Sequence, residues 1–242
     1  MCATCGCSGT SHPLRAPWSS GAARLVHLEA EVLGKNDRLA AENRAWLAAR
    51  RLTCLNVLSS PGAGKTTLLE RTLRDLRGEL DVAVIEGDQE TGLDADRIRA
   101  TGAPVVQINT GRGCHLDAAM VAGALRTLDP PPGSVVLVEN VGNLVCPALF
   151  DLGERAKVVV ASTPEGDEKP LKYPHAFRAS ALMLLNKIDL APHLAFDGAR
   201  CVAAARSVNP ALAVLTISAT RGDGLDAWYA WLRAQRTGAS AR

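Results

Sequence analysis

Between residues 52 and 217, short apolar runs alternate with stretches whose apolar positions recur at helical spacing. The runs cover residues 52–58, 82–86, 104–108, 135–139, 157–161, 181–186 and 213–217, and several are apolar at nearly every position. A strand buried on both faces reads this way, whereas a strand with one wet face alternates. Seven such runs with helices between them predict an α/β fold, a mostly parallel seven-stranded sheet sandwiched by helices. In that architecture ligands collect at the carboxyl ends of the strands. Upstream, Leu25, Leu28, Val32, Leu39, Ala40 and Trp46 fall at helical spacing within residues 24–50. They predict one or two amphipathic helices leading into the domain, with Gly34-Lys35-Asn36-Asp37 as the candidate break. Residues 8–22 are rich in Ser, Gly and Pro and read as a flexible linker. The expected organisation is therefore a metal-binding motif and linker over residues 1–23, then one domain over residues 24–242.

Composition narrows the function classes. With 242 residues and 47% hydrophobic content, the chain can bury one substantial core. A net charge of +2, without a run of five or six Lys/Arg, gives no electrostatic footprint for nucleic acid. No stretch approaches the roughly 20 apolar residues that cross a bilayer, and the N-terminus lacks an apolar signal core, so a cytoplasmic protein with no membrane partner is expected. Seven cysteines in a reducing compartment are no disulfide framework. The clustered ones read as metal or redox groups, and Cys54 and Cys201 as core.

Residues 59–67, Ser59-Ser60-Pro61-Gly62-Ala63-Gly64-Lys65-Thr66-Thr67, follow the first run and open a helical stretch. This is the setting of a P-loop. The backbone at Gly62, Ala63 and Gly64 turns its N–H groups onto phosphate oxygens, Lys65 reaches the β- and γ-phosphates, and the Thr66 hydroxyl ligates Mg²⁺. The helix that begins near Thr67 points its positive end at the anion. The usual pattern opens on glycine, where this chain has Ser59, and Pro61-Gly62 supplies the turn instead. Asn186-Lys187-Ile188-Asp189 closes the sixth run and resembles the NKxD element of GTPases. A carboxylate at Asp189 accepts the paired N–H donors of guanine, which adenine lacks, while Asn186 addresses the base edge and the Lys187 stem lies across the ring. Ser218-Ala219, after the last run, resembles the final guanine-contacting loop, and an ordinary Ser-rich turn explains it nearly as well. Asp88 and Glu139, at the ends of two runs, suit Mg²⁺ or its waters. Lys65, Thr66, Asp88 and Glu139 are thus the candidate catalytic set, and no residue that positions the attacking water stands out.

Two groups of soft ligands flank this turn in sequence. At the N-terminus, Cys2, Cys5 and Cys7 with the amine freed by removal of Met1 offer four donors. Four donors in a plane suit Ni²⁺ and a tetrahedron suits Zn²⁺; sequence does not choose between them. Cys114-His115 follows the third run and Cys146 the fourth, which places both segments at the nucleotide edge of the sheet. Three ligands leave that site one short, and a second copy of the chain completes it, making metal binding and dimerisation one event.

Taken together, residues 1–7, residues 59–67, Glu86-Gly87-Asp88, Gly113-Cys114-His115-Leu116-Asp117-Ala118, residues 139–147, Glu165-Gly166-Asp167 with Lys169-Pro170, and residues 186–189 resemble the HypB family over nearly the whole chain. These are GTPases that help insert nickel into [NiFe]-hydrogenase. The resemblance implies a P-loop NTPase of the SIMIBI class and a GTP-dependent homodimer. It also implies a tight N-terminal nickel site and a weaker Ni²⁺/Zn²⁺ site at the dimer interface. The partners it implies are a HypA-type nickel accessory protein and the hydrogenase large subunit, with Lys169 or Lys172 reaching the other subunit's nucleotide. A urease-type nickel GTPase has a similar domain, and a passive nickel store is the reading from another class. The N-terminal cysteine trio and the Gly-rich approach to Cys114 favour the hydrogenase assignment.

Overall fold

A computed structural model describes residues 19–88, 92–111 and 113–237, with side chains from residue 31 to residue 236. Among the described residues, contacts group those from Asn36 onward as one compact unit and those before it as another. In chain order the elements are α1 (Ser19–Ala49), β1 (Thr53–Ser59), α2 (Lys65–Asp75), β2 (Val82–Asp88), α3 (Leu93–Arg99), β3 (Val105–Asn109), α4 (Ala118–Leu128), β4 (Val135–Glu139) and α5 (Cys146–Leu149). They continue with β5 (Ala156–Ser162), α6 (Lys169–Lys172), α7 (Pro174–Ala179), β6 (Ser180–Asn186), α8 (Gly198–Val208), β7 (Ala213–Thr216) and α9 (Leu225–Thr237). Each apolar run became a strand, and β2 continues past its run because Gly87 and Asp88 still pair with Ile108 and Asn109 of β3.

Among the described residues the strands form one seven-stranded sheet in the order β3-β2-β4-β1-β5-β6-β7, with every pairing parallel. Side-chain alternation sends successive strand residues to opposite faces. Leu55, Val57, Val84, Leu137, Val160 and Leu184 meet α2 and α9 on one face, where Leu69, Leu73, Trp228 and Leu232 fill the layer. On the other face the core is split. Leu58, Val159 and Met183 pack with Phe177 and Cys201, while Cys54, Ile85 and Val138 pack with Leu47, Val121 and Leu125. Cys54 and Cys201 are buried, and burial pushes both thiols up, Cys201 to about 11. Neither is a thiolate at neutral pH.

The expected break at Gly34-Lys35-Asn36-Asp37 is absent; α1 runs through it, and it begins at Ser19, so residues 19–22 of the expected linker are helical. Glycine and asparagine are weak helix formers, yet Asn36 is used for packing. Its Nδ2 donates to the Asp151 carbonyl at 2.7 Å, and its Oδ1 accepts from the Ala118 backbone N–H at 2.9 Å. Two turns on, Asn43 Nδ2 donates to the carbonyls of Ala118 at 2.8 Å and Leu152 at 3.0 Å. Tertiary bonds to the start of α4 and the loop before β5 thus override the local signal.

Gly153 lies under this helix at φ +87°, and a Cβ there would stand 2.6 Å from the Ala40 carbonyl oxygen and 2.7 Å from Asn43 Cβ. Gly153→Ala is expected to lower stability by about 3 kcal/mol, the sum of left-handed strain and overpacking. Urea denaturation checks this, and a loss below about 1 kcal/mol would mean that α1 is not held against the loop.

Candidate nucleotide and metal site

Because all seven strands run the same way, the segments that follow them open on one edge. There the P-loop, the ends of β2 and β4 and the loops after β3, β4 and β6 line a cleft of about 660 Å³. Its wall includes Gly62, Lys65, Thr66, Glu86, Asp88, Cys114, Glu139, Asn143 and Lys187. Gly62 and Gly64 take φ +74° and +97°, and a Cβ on Gly64 would stand 2.5 Å from Asn186 Nδ2. Backbone conformation therefore favours glycine at both positions, and packing against Asn186 adds to this at Gly64 alone. Helix α2 starts at Lys65 with no side-chain cap. Its first N–H groups and the positive end of its dipole are open to an anion.

The basic and acidic groups of the cleft hold one another. Lys65 Nζ donates to Ser59 Oγ at 2.9 Å and lies 4.0 Å from Glu139 Oε1. Ser59, at the position where the usual pattern has glycine, thus serves as a rest for the P-loop lysine. Thr66 Oγ1 donates to Glu139 Oε1 at 2.8 Å. Glu86 pairs in register with Glu139 across β2 and β4, and the Oε2 atoms of both buried carboxyls have no hydrogen-bond partner among the described residues. Burial first, then the carboxylates of Glu139, Asp88 and Asp94, push Glu86 up to about 8, against the pull of Lys65. Glu139 is also raised by burial, which Lys65 and the Thr66 hydroxyl oppose. An orphaned buried oxygen costs about 1–3 kcal/mol. Two of them beside a P-loop threonine are chemically suited to a hard divalent cation such as Mg²⁺.

On the far side, Lys187 adopts φ +61°, uncommon for a residue with a side chain, and its Nζ donates to the Gly62 carbonyl at 2.7 Å. The Ser218 hydroxyl donates to the Asp189 carboxylate and, more than any other group, holds it below the usual range. Asn186 has a structural part besides its expected one. It is buried, its Nδ2 donates to the Ala63 carbonyl at 2.9 Å, and its Oδ1 accepts from the Ala219 N–H at 3.0 Å. It is a strut between the P-loop and the last loop through its oxygen and one amide N–H, a role that leaves the second N–H for the base edge. Lys169 Nζ bonds Ser60 Oγ at 2.6 Å and Glu165 Oε1 at 2.9 Å within the same chain.

The three soft ligands of the second group converge. One potential ligand atom each from Cys114, His115 and Cys146 lies within 4.8 Å of the other two. Cys114 Sγ is 3.6 Å from His115 Nδ1, and the Phe150 ring covers the imidazole at 3.9 Å between centroids. Burial, opposed by Asp117, lowers the pKa of His115 and so favours the neutral, ligating imidazole. The Cys146 thiol is raised, first by its hydrogen bond with Cys114 and then by burial. Asn143 joins the metal group to the nucleotide cleft, because its Nδ2 donates to the Cys114 carbonyl at 3.3 Å while its backbone bridges to Ser59 of β1. Cys2, Cys5 and Cys7 lie outside the described residues.

Glu86, Asp94, Arg97, Asn140 and Asn143, to which the sequence assigned no individual role, also line the cleft. For Glu86 a signal existed. It stands two residues before Asp88 in one strand, and the period of two puts both on the same face.

An uninterrupted parallel sheet with a P-loop after its central strand and an NKxD segment two strands along defines a P-loop nucleotide-binding protein of the SIMIBI type. Residues 53–216 match the family described as CobW/HypB/UreG, nucleotide-binding domain. The hydrogenase maturation factor HypB of Escherichia coli strain K12 is 57% identical over 213 residues, 88% of this chain and 73% of that protein. The crystal structure of HypB from Helicobacter pylori in complex with nickel superposes with a TM-score of 0.79 at 36% identity, covering 84% of this chain and 96% of that one. HypB from Archaeoglobus fulgidus gives the same score and identity over 84% of this chain and all of that one. The chain belongs to the HypB family. No helix among the described residues is long and apolar enough to cross a membrane.

The raised Glu86 gives a pH signature. Below about 4.5 the carboxyl is protonated whether the chain is folded or not, and its contribution to stability is fully present. As pH rises toward about 8, only the unfolded chain releases the proton, so that contribution is lost. In protein free of nucleotide and metal, Glu86→Gln is expected to gain on the parent steadily between pH 5.5 and 8.5, by roughly 2–4 kcal/mol in all. Urea midpoints across that range measure the gain, and parallel curves for the two proteins would contradict the assignment.

Proposed function

We propose that this chain is a GTP-hydrolysing nickel metallochaperone of [NiFe]-hydrogenase maturation, in which the nucleotide sets the affinity of the Cys114, His115 and Cys146 site. The observation that carries the reading is that Cys114 lines the same cleft as Lys65, Thr66, Asp88 and Glu139. The loop from Glu139 to Cys146 crosses from one group to the other. The nickel in the Helicobacter pylori relative supports nickel as the cargo. The donor set of two thiols and an imidazole also suits Zn²⁺.

In this reading GTP lies along the P-loop with its triphosphate at Lys65 and the start of α2. The guanine lies between the Lys187 stem and Asp189, beside Ser218 and Ala219. Thr66, Asp88 and Glu139 would hold Mg²⁺, which would supply positive charge to neutralise the negative charge developing on the phosphates. Water attacks the γ-phosphorus, the bond to the β–γ bridging oxygen breaks, and GDP, phosphate and a proton leave. Glu139 then loses its partner across the cleft, the loop that follows it relaxes, and Cys146 releases nickel to an acceptor. A second copy of the chain supplies the remaining ligand, so the working unit is a GTP-dependent homodimer. Cys2, Cys5 and Cys7 form a separate nickel site at the N-terminus. A HypA-type accessory protein and the hydrogenase large subunit are the partners, and the cytoplasm is the compartment.

The test is competition titration of nickel in a Cys2→Ala/Cys5→Ala/Cys7→Ala background, with GDP and with a non-hydrolysable GTP analogue. Nickel is expected to bind at least about fivefold more tightly with the analogue, the low end of ordinary allosteric coupling. Cys114→Ala should abolish the binding in both states. Equal affinities with the two nucleotides would leave a nickel-binding protein without a nucleotide switch.

A further inference from the structure

The face of β1 opposite α2 carries Cys54, Asn56 and Leu58. Cys54 and Leu58 belong to the two separate apolar clusters on that side, and Asn56 between them is fully buried. A polar chain fills the gap. Asn56 Nδ2 donates to Glu154 Oε1 at 3.2 Å, and Asn56 Oδ1 accepts from Asn140 Nδ2 at 3.2 Å. Asn140 Oδ1 in turn accepts the backbone N–H groups of Leu116 at 3.2 Å and Val141 at 3.0 Å. The polarity of each amide is fixed, because backbone donors stand at one end and a carboxylate at the other.

Glu154 has a second arm. Lys157 Nζ donates to Glu154 Oε1 at 2.6 Å and to the Phe150 carbonyl at 3.0 Å. The Phe150 ring lies on the His115 imidazole. One buried carboxylate therefore reaches His115 from two sides, through the backbone of the next residue, Leu116, and through the ring that covers the imidazole. An ion pair as buried as Lys157 with Glu154, at 11% and 3% side-chain exposure, is poor evidence of a stability role, since apolar replacements often do as well or better. What the pair and the two asparagines do is fix the position of a loop.

From this we infer that Asn140, held by Asn56 and Glu154, is a positioning residue of the metal centre. It sets the Cys114-His115 loop against the loop that carries Cys146, and it follows directly on Glu139 at the nucleotide. The inference rests on the function proposed above and names the part through which the two sites are registered.

The experiment uses the full chain in the Cys2→Ala/Cys5→Ala/Cys7→Ala background. Nickel affinity and the nickel–thiolate charge-transfer spectrum are measured for the parent, Asn140→Ala, Asn140→Asp and Asn56→Leu, each with its melting temperature. Asn140→Ala and Asn56→Leu are expected to weaken nickel binding by about 10–100-fold and to shift the charge-transfer bands, the usual effect of losing a partner behind a ligand. Asn140→Asp keeps the oxygen that accepts the Leu116 N–H, so it should recover most of the affinity even where its melting temperature is no higher than that of Asn140→Ala. Affinities within twofold of the parent in folded Asn140→Ala would overturn the inference, as would equal losses in the Ala and Asp variants. If Asn140→Ala does not fold, Asn56→Leu carries the test, since it removes the side chain that holds Asn140 and leaves Asn140 in place; an affinity within twofold of the parent and an unchanged spectrum would then count against the inference. A parent that binds nickel equally with GDP and the GTP analogue would instead sink the proposed function, and that result is read without any of these variants.

Discussion

The parallel pairing of β1 with β4, Val57 opposite Glu139, leaves the chain after β4 no course except over the P-loop. The contact there is close. Asn143 makes an antiparallel bridge to Ser59, and a Cβ on Gly142 would stand 3.1 Å from Pro61 Cγ and 3.2 Å from its nitrogen. The same short loop starts at the carboxylate bonded to Thr66 and ends at Cys146. A shift of the P-loop threonine or its carboxylate partner must therefore be absorbed within a few residues, against buried side chains that deform little. The proposed coupling of nucleotide and metal needs no long pathway in this fold, since Cys114 lines the nucleotide cleft.

The energetics of that cleft bear on the proposed switch. Glu86 and Glu139 are buried side by side, each with an oxygen that has no partner among the described residues, and the second shares Lys65 and Thr66 with whatever anion the P-loop receives. Burying these carboxyls costs free energy, and a cation bound between them would offset part of that cost. The metal group sits at the other end of the same loop in a milder environment, with a neutral imidazole and thiols that must lose protons on binding.

Much of the fold was legible in the sequence because strands buried on both faces cannot hide their composition. The alternation of runs and helices was enough to put the P-loop, Asp88, Cys114, Glu139 and Asn186 on a common edge. Signals that depend on tertiary bonds were not legible. Asn36 looks like a helix breaker until Ala118 and Asp151 are placed against it. The strut that Asn186 forms between the Ala63 carbonyl and the Ala219 N–H carries no mark in its NKxD segment. Asn56 is one polar residue in an apolar run and carries no local pattern at all. Its role appears only when Glu154 and Asn140, far apart in sequence, are brought to either side of it. The 4.8 Å spacing among the three soft ligands likewise depends on how two loops fold back, which spacing in the chain does not specify.

The central claim is that one loop is shared by the triphosphate and the metal, so that a change at Glu139 reaches Cys146. Nickel-edge X-ray absorption on the chain without its N-terminal cysteines reads the ligand shell directly in both nucleotide states. The account predicts a full complement of sulfur neighbours with the GTP analogue and the loss or lengthening of one nickel–sulfur distance with GDP. Identical shells in the two states would contradict it.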